Sequence, residues 1–178
     1  PRAPARPPRV SRSILSRAFM HRRLWLNDPD CLMARRRDTA LAGHEVQSLA
    51  AAIATSGGMV VFSDDVPALS PAERASVREC IEIAREIDGA DVRGVARAPG
   101  LLEAGEPRLL VAARGSDAWL AAVNCGDTPL VSELALARLG LARGSDTDTM
   151  LRLELPAHGA VLRHLPGSRR LAVFCDFD

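Results

Sequence analysis

The sequence predicts two fold classes in series, α/β over residues 10–90 and all-β over residues 91–178. Three observations predict it. Up to about residue 88, segments of helical period alternate with short apolar runs, the grammar of consecutive β/α units. From about residue 92 that period fades into apolar runs of four to seven residues, separated by Gly, Asp, Asn and Pro. Two of these runs, Leu151-Arg152-Leu153-Glu154-Leu155 and Val161-Leu162-Arg163-His164-Leu165, come close to strict alternation, as an antiparallel sheet with one wet face requires. A length of 178 residues admits one large or two small domains.

The elements follow in order. Residues 1–9 are rich in Pro and Arg and read as a disordered lead. Val10, Ile14, Leu15, Ala18 and Phe19 form the face of a helix ending near His21. Leu24-Trp25-Leu26 reads as a short strand, broken by the loop Asn27-Asp28-Pro29-Asp30. Glu45 to Ala54 is helical, with Val46, Leu49, Ala50 and Ile53 on one side, and Gly57-Gly58 stops it. Met59-Val60-Val61-Phe62 is a continuous apolar run, the mark of a parallel strand buried on both faces. Ser70-Pro71-Ala72-Glu73 is a capping box with Pro at the first helical position, and Leu69 stands at the staple position. That helix runs to about Ile87. The later strands are expected at 108–113, 119–124, 130–136, 150–155, 159–165 and 171–174.

Composition excludes several classes. The chain is 47% hydrophobic and 25% charged, the balance of a globular protein. All 23 basic residues are Arg, and the net charge of +1 excludes a strongly basic nucleic-acid binder. Residues 1–37 carry ten Arg against two acids, a local +8, and the remainder is −7; the basic lead lacks the apolar content of an interface. No apolar run is long enough to span a bilayer, so no membrane partner is expected. No secretory h-region is present, which points to the cytoplasm, although a signal upstream of Pro1 is left open. Cys31, Cys80, Cys125 and Cys175 form no CxxC pair and read as reduced thiols; no metal and no cofactor is expected.

The sharpest chemical feature is Asn27-Asp28-Pro29-Asp30, two carboxylates two residues apart at the expected C-terminal end of a parallel strand, where β/α folds place their sites. Ser63-Asp64-Asp65 is expected at the same end of the next strand, so that the acids converge on one rim. Such a rim suits a polyhydroxylated ligand or a metal ion, and capping of the following helix or turn is the alternative for these acids. A retaining glycosidase needs two carboxyls about 5–5.5 Å apart on opposite sides of a sugar carbon. Asp28 and Asp30 leave one face of one extended segment, so they cannot bracket a sugar, and a catalytic pair has to come from two strands. His21, beside the loop, is a candidate ligand contact; His158, after Pro156, reads as a surface residue.

The stretch His21-Arg22-Arg23-Leu24-Trp25-Leu26-Asn27-Asp28-Pro29-Asp30-Cys31-Leu32-Met33 resembles the W-x-N-D-P-D-x-L segment of clan D α-galactosidases, glycoside hydrolase families 36 and 27. Leu41…Glu45, Gly57-Gly58-Met59, Phe62-Ser63-Asp64-Asp65-Val66 and Leu69-Ser70-Pro71 are similar to the same proteins in the same order. Trp119…Asn124, Leu139-Gly140-Leu141 and Leu155-Pro156-Ala157-His158-Gly159 are similar to their C-terminal part. The resemblance, closest to family 36, implies the last two β/α units of a (β/α)8 TIM barrel followed by an antiparallel β-sandwich. It implies retaining hydrolysis of terminal α-galactosides with no cofactor. The family's nucleophile is an Asp in K-x-D, and its acid/base an Asp in R-x-x-x-D upstream of N-D-P-D. This chain has no Lys and neither motif in the right place, so it carries no catalytic residue and is expected to be inactive alone. Asp30 matches the family's rim Asp and Cys31 follows it into the sugar pocket; Asp28 orders the loop, and Trp25 completes the substrate-binding set.

A typical barrel needs about 250 residues. This chain offers about 80 before the expected sandwich, and Pro1 in place of Met also points to a partial chain. Open strand edges would favour self-association. Two rivals stand beside the fragment reading. In one, a second polypeptide supplies the missing strands. In the other, the sandwich is a non-catalytic carbohydrate-binding or interaction module, for which Trp119 is the only aromatic of consequence.

Overall fold

The computed structural model describes residues 7–89, 96–103, 105, 107–114, 117–141 and 149–165. The expected strand at 171–174 and Cys175 lie outside these residues, as does most of the 1–9 lead. Helix α1 (Pro7–Arg17) starts inside that lead. Proline is tolerated in a first turn because its missing N–H would have no helical partner there. Ile14, Leu15 and Ala18 are buried from this segment, and a 3-10 turn (Ala18–Met20) ends it.

Leu24-Trp25-Leu26 is not a strand. Arg22–Leu24 turn, closed by the Arg23 and Leu24 N–H groups donating to the Met20 carbonyl, and Leu24, Trp25 and Leu26 are 68%, 51% and 76% exposed. The strand here is β1 (Cys31–Leu32), which pairs in parallel with β2 (Val61–Phe62) in the register Cys31 to Val61 and Leu32 to Phe62. Among the described residues no strand lies beside this triplet, and Trp25 makes only an isolated bridge to His21, so the triplet has no ladder to join. The run Met59–Phe62 is correspondingly not buried on both faces, since Met59 is 53% and Val61 37% exposed.

Helix α2 (Gly43–Ser56) packs against α1, against α3 (Pro71–Asp88) and against the antiparallel strands β3 (Arg108–Arg114), β4 (Asp117–Val123) and β7 (Ala160–Leu165). Its Ala-rich sequence lets neighbours approach on nearly every side, and Val46, Leu49, Ala51, Ala52, Ile53 and Ala54 are all buried. Helix α3 begins with the expected capping box. Ser70 Oγ accepts the Glu73 N–H (3.2 Å), and Glu73 Oε2 accepts the Ser70 N–H (2.7 Å). Leu69 is buried at the staple position.

The described residues of the second half form two antiparallel sheets, β3-β4-β7 and a pair made of β5 (Leu130–Ala135) and β6 (Met150–Leu155). Strand β4 is central and buried on both faces. Trp119, Ala121 and Val123 face a core shared with the helices, whereas Ala118, Leu120 and Ala122 face a second core with Leu134, Leu151, Leu153 and Leu155. β6 alternates exposed and buried residues throughout, as its sequence predicts.

Candidate functional site

The segment Asn27–Asp30 is held from three directions. Asn27 is buried; its carbonyl accepts the Met59 N–H (3.0 Å), and its own N–H donates to His21 Nδ1 (3.1 Å). The proton of the neutral ring is therefore on Nε2, which donates to Asp88 Oδ1 at 2.7 Å. The Trp25 indole N–H donates to Asn27 Oδ1 (3.0 Å). Asp88, at the end of α3, also accepts the Gly58 N–H (3.3 Å) and pairs with Arg22 (3.3 Å). Burial pushes the Asp88 carboxyl up, but the His21 hydrogen bond, the Arg22 charge and the Gly58 N–H together hold it below its ordinary value.

Gly57 and Gly58 are more than a helix stop. At φ +97, Gly58 brings its Cα so close to the loop that an added Cβ would lie 2.3 Å from the Asn27 carbonyl oxygen. At Gly57, φ +73, a Cβ would meet the His21 ring at 2.8 Å. This glycine pair lets the chain entering β2 run against the loop.

Beyond Asn27 the chain alternates, with Pro29 buried and Asp28 and Asp30 exposed. Both carboxylates turn back on the loop: Asp28 Oδ1 accepts the Asp30 N–H (3.3 Å), and Asp30 Oδ1 accepts the Cys31 N–H (2.7 Å). Asp30 holds a left-handed φ of +103, an uncommon state for a residue with a side chain. Together with Trp25 and the half-buried Cys31, these acids line an open cleft of about 650 Å³ that is also lined by Val10, Ile14 and Arg17 of α1.

Three expectations change. The Asn27–Asp30 loop precedes β1 and lies alongside the start of the Met59–Phe62 run, whereas Ser63-Asp64-Asp65 follows β2, so the acids do not converge on one rim. Asp64 is a tether, not a ligand. Its side chain is buried and accepts the Ala34 N–H (2.6 Å), the Arg35 N–H (3.1 Å) and the Arg35 guanidinium (2.9 Å), fixing the chain that leaves β1. His21 is buried with both ring nitrogens committed within the protein, so it does not face the cleft.

Elsewhere, Cys31, Cys80 and Cys125 are in no disulfide, and burial pushes the Cys80 thiol up to about 12, which makes it unreactive. Among the described residues no group of three or more His, Cys, Asp and Glu is arranged to hold a metal ion, and no helix is long and apolar enough to cross a membrane. Trp119 is buried beside His164, ring centroids 4.6 Å apart, and offers no face to a sugar.

No protein-family model matches the chain. Solved structures do. A GH27 β-L-arabinopyranosidase from Geobacillus stearothermophilus aligns with a TM-score of 0.69 and 13% identity over 93% of this chain and 43% of its own. α-Galactosidase I from Mortierella vinacea aligns with a TM-score of 0.62 and 14% identity over 84% of this chain and 41% of its own. The chain spans well under half the length of each. At this identity the similarity is one of fold: the chain is folded like part of a GH27-type glycosidase.

Proposed function

We propose that this chain is the C-terminal portion of a family-36-like clan D α-galactosidase, whose complete form hydrolyses terminal α-D-galactosides with retention. Residues 10–90 form the last two β/α units of its (β/α)8 barrel, and residues 91–178 form its antiparallel sandwich. Asp30, Cys31, Asp28 and Trp25 lie on the sugar side, and both catalytic carboxylates come from strands this chain does not carry. The observation that carries the reading is the two-stranded parallel sheet β1-β2, which bears the N-D-P-D loop and the S-D-D turn in the clan's order and leaves Trp25, Leu26, Met59 and Val61 exposed. Parallel sheets are otherwise covered on both faces. One that, among the described residues, is covered on one face only supports a sheet that continues in other strands, and the bare edges favour self-association of the isolated chain.

The chemistry follows from what is missing. Without a nucleophile and an acid/base on two facing strands, no glycosyl intermediate forms. The loop acids, already bonded to their own backbone, are suited to accept hydrogen bonds from sugar hydroxyls. The test is turnover of an aryl α-galactoside. The chain alone is expected to show none. The chain joined to, or mixed with, a polypeptide bearing the K-x-D and R-x-x-x-D strands is expected to turn over, and Asp30→Asn in that complete form should raise KM. Turnover by the repurified chain alone, or none by the complete form, contradicts the reading.

A further inference from the structure

The junction between the two halves contains a histidine between two carboxylates. We propose that His158 is a proton-operated clamp, held as an imidazolium, that fastens the β6–β7 turn at once to α2 and to the β4–β5 loop. The geometry requires the extra proton. Nδ1 lies 3.0 Å from Glu45 Oε1 and Nε2 lies 2.8 Å from Asp127 Oδ1. A neutral imidazole has one N–H, so one of these contacts would set a ring lone pair against a carboxylate oxygen; only the cation donates on both sides.

The cradle is built for this. The His158 N–H donates to the Gly126 carbonyl (3.2 Å), which places the ring beside Asp127. Asn124, 1% exposed, fixes that loop through its side chain: Nδ2 donates to the Thr128 and Pro156 carbonyls (2.8 and 2.9 Å), and Oδ1 accepts the Gly126 N–H (2.9 Å). The turn Pro156–Gly159 closes through the Gly159 N–H to the Pro156 carbonyl (3.0 Å) and puts His158 at φ +57, a position that favours Gly or Asn. A β-carbon-bearing residue held in that state is over-determined by its surroundings. From α2 the charged group facing the ring is Glu45, whose other oxygen accepts the Ala42 N–H at the helix start (2.8 Å); from the β4–β5 loop it is Asp127; the turn itself supplies none.

The sign is fixed by the partners. The Asp127 hydrogen bond, against a smaller opposing effect of burial, and then Glu45, raise the His158 pKa above 6.5. The clamp is therefore fully engaged below the pKa of free imidazole and is lost as pH rises through the higher folded value.

The 178-residue chain tests this by NMR titration of its four histidine rings, with His158→Asn, which suits the left-handed turn, assigning the resonance. The expected result is a His158 midpoint above about 6.5 that falls in both Glu45→Gln and Asp127→Asn. Glutamine retains the helix cap, so Glu45→Gln remains folded. Amide exchange in residues 156–159 and in the first turn of α2 should rise through the same midpoint, with no such step in His158→Asn. A His158 midpoint at or below 6.5, or one that neither carboxylate variant moves, overturns the proposal.

Discussion

Two apolar runs of similar composition meet opposite fates. Trp119-Leu120-Ala121-Ala122-Val123, in β4, is buried throughout, with Leu120, Ala121 and Ala122 at 0% exposure. Met59-Val60-Val61-Phe62, in and before β2, leaves Met59 more than half exposed. β4 has β3 and β7 on its edges, helices on one face and the β5-β6 pair on the other. Among the described residues β2 has one neighbour, β1, over two residues. A continuous apolar run states that a strand is meant to be covered on both faces; it does not state that the cover lies in the same chain.

The largest effect expected from this contrast is a pair of truncations. Leu120→Ala should cost about 2–5 kcal/mol, because the lost side chain is fully enclosed between two sheets. Val61→Ala in the isolated chain should stay within about 0.5 kcal/mol, as exposed positions do. Urea unfolding of the two variants measures both. Equal costs would mean that β2 is as well covered as β4, and the contrast would be gone.

A smaller, local effect is expected at the loop. Gly58→Ala puts a Cβ against the Asn27 carbonyl at a φ that L-residues avoid, for a cost of about 1–3 kcal/mol. The Trp25 indole donates to Asn27, so its fluorescence should respond in the native state before the core unfolds. An unchanged emission spectrum together with unchanged stability would show that the close approach does not order the loop.

How much the sequence shows depends on the range over which a feature is decided. The Ser70–Glu73 cap, the alternation of β6 and the bounds of β3 to β7, each within one or two residues of expectation, rest on neighbours or on a simple period. The hydrogen bonds of Asp28 and Asp30 to their own loop are likewise local. The strand at Cys31–Leu32 was not, because its partner, Val61–Phe62, lies about thirty residues on. The carboxylate partner of His21 lies 67 positions away, and those of His158 lie 113 and 31 positions away, with nothing beside either histidine to signal them. A histidine after Pro156 reads as a surface residue until Glu45 is brought to it.

The smallest effect concerns Asp88, the carboxylate that joins the less covered half at its far end. Its folded pKa is depressed below 3.8, so its stabilising contribution is fully present above that value and is lost as pH falls through the lower folded one. The side chain is 35% exposed, so solvent screens much of the interaction. Thermal unfolding of wild type and Asp88→Asn should therefore differ at pH 6 and converge towards pH 3, with the difference confined to the loop, α3 and His21. A difference that persists unchanged to pH 3 would mean that Asp88 acts through packing and not through charge. The latch on the open sheet would then be held by shape alone, as the enclosed core around β4 already is.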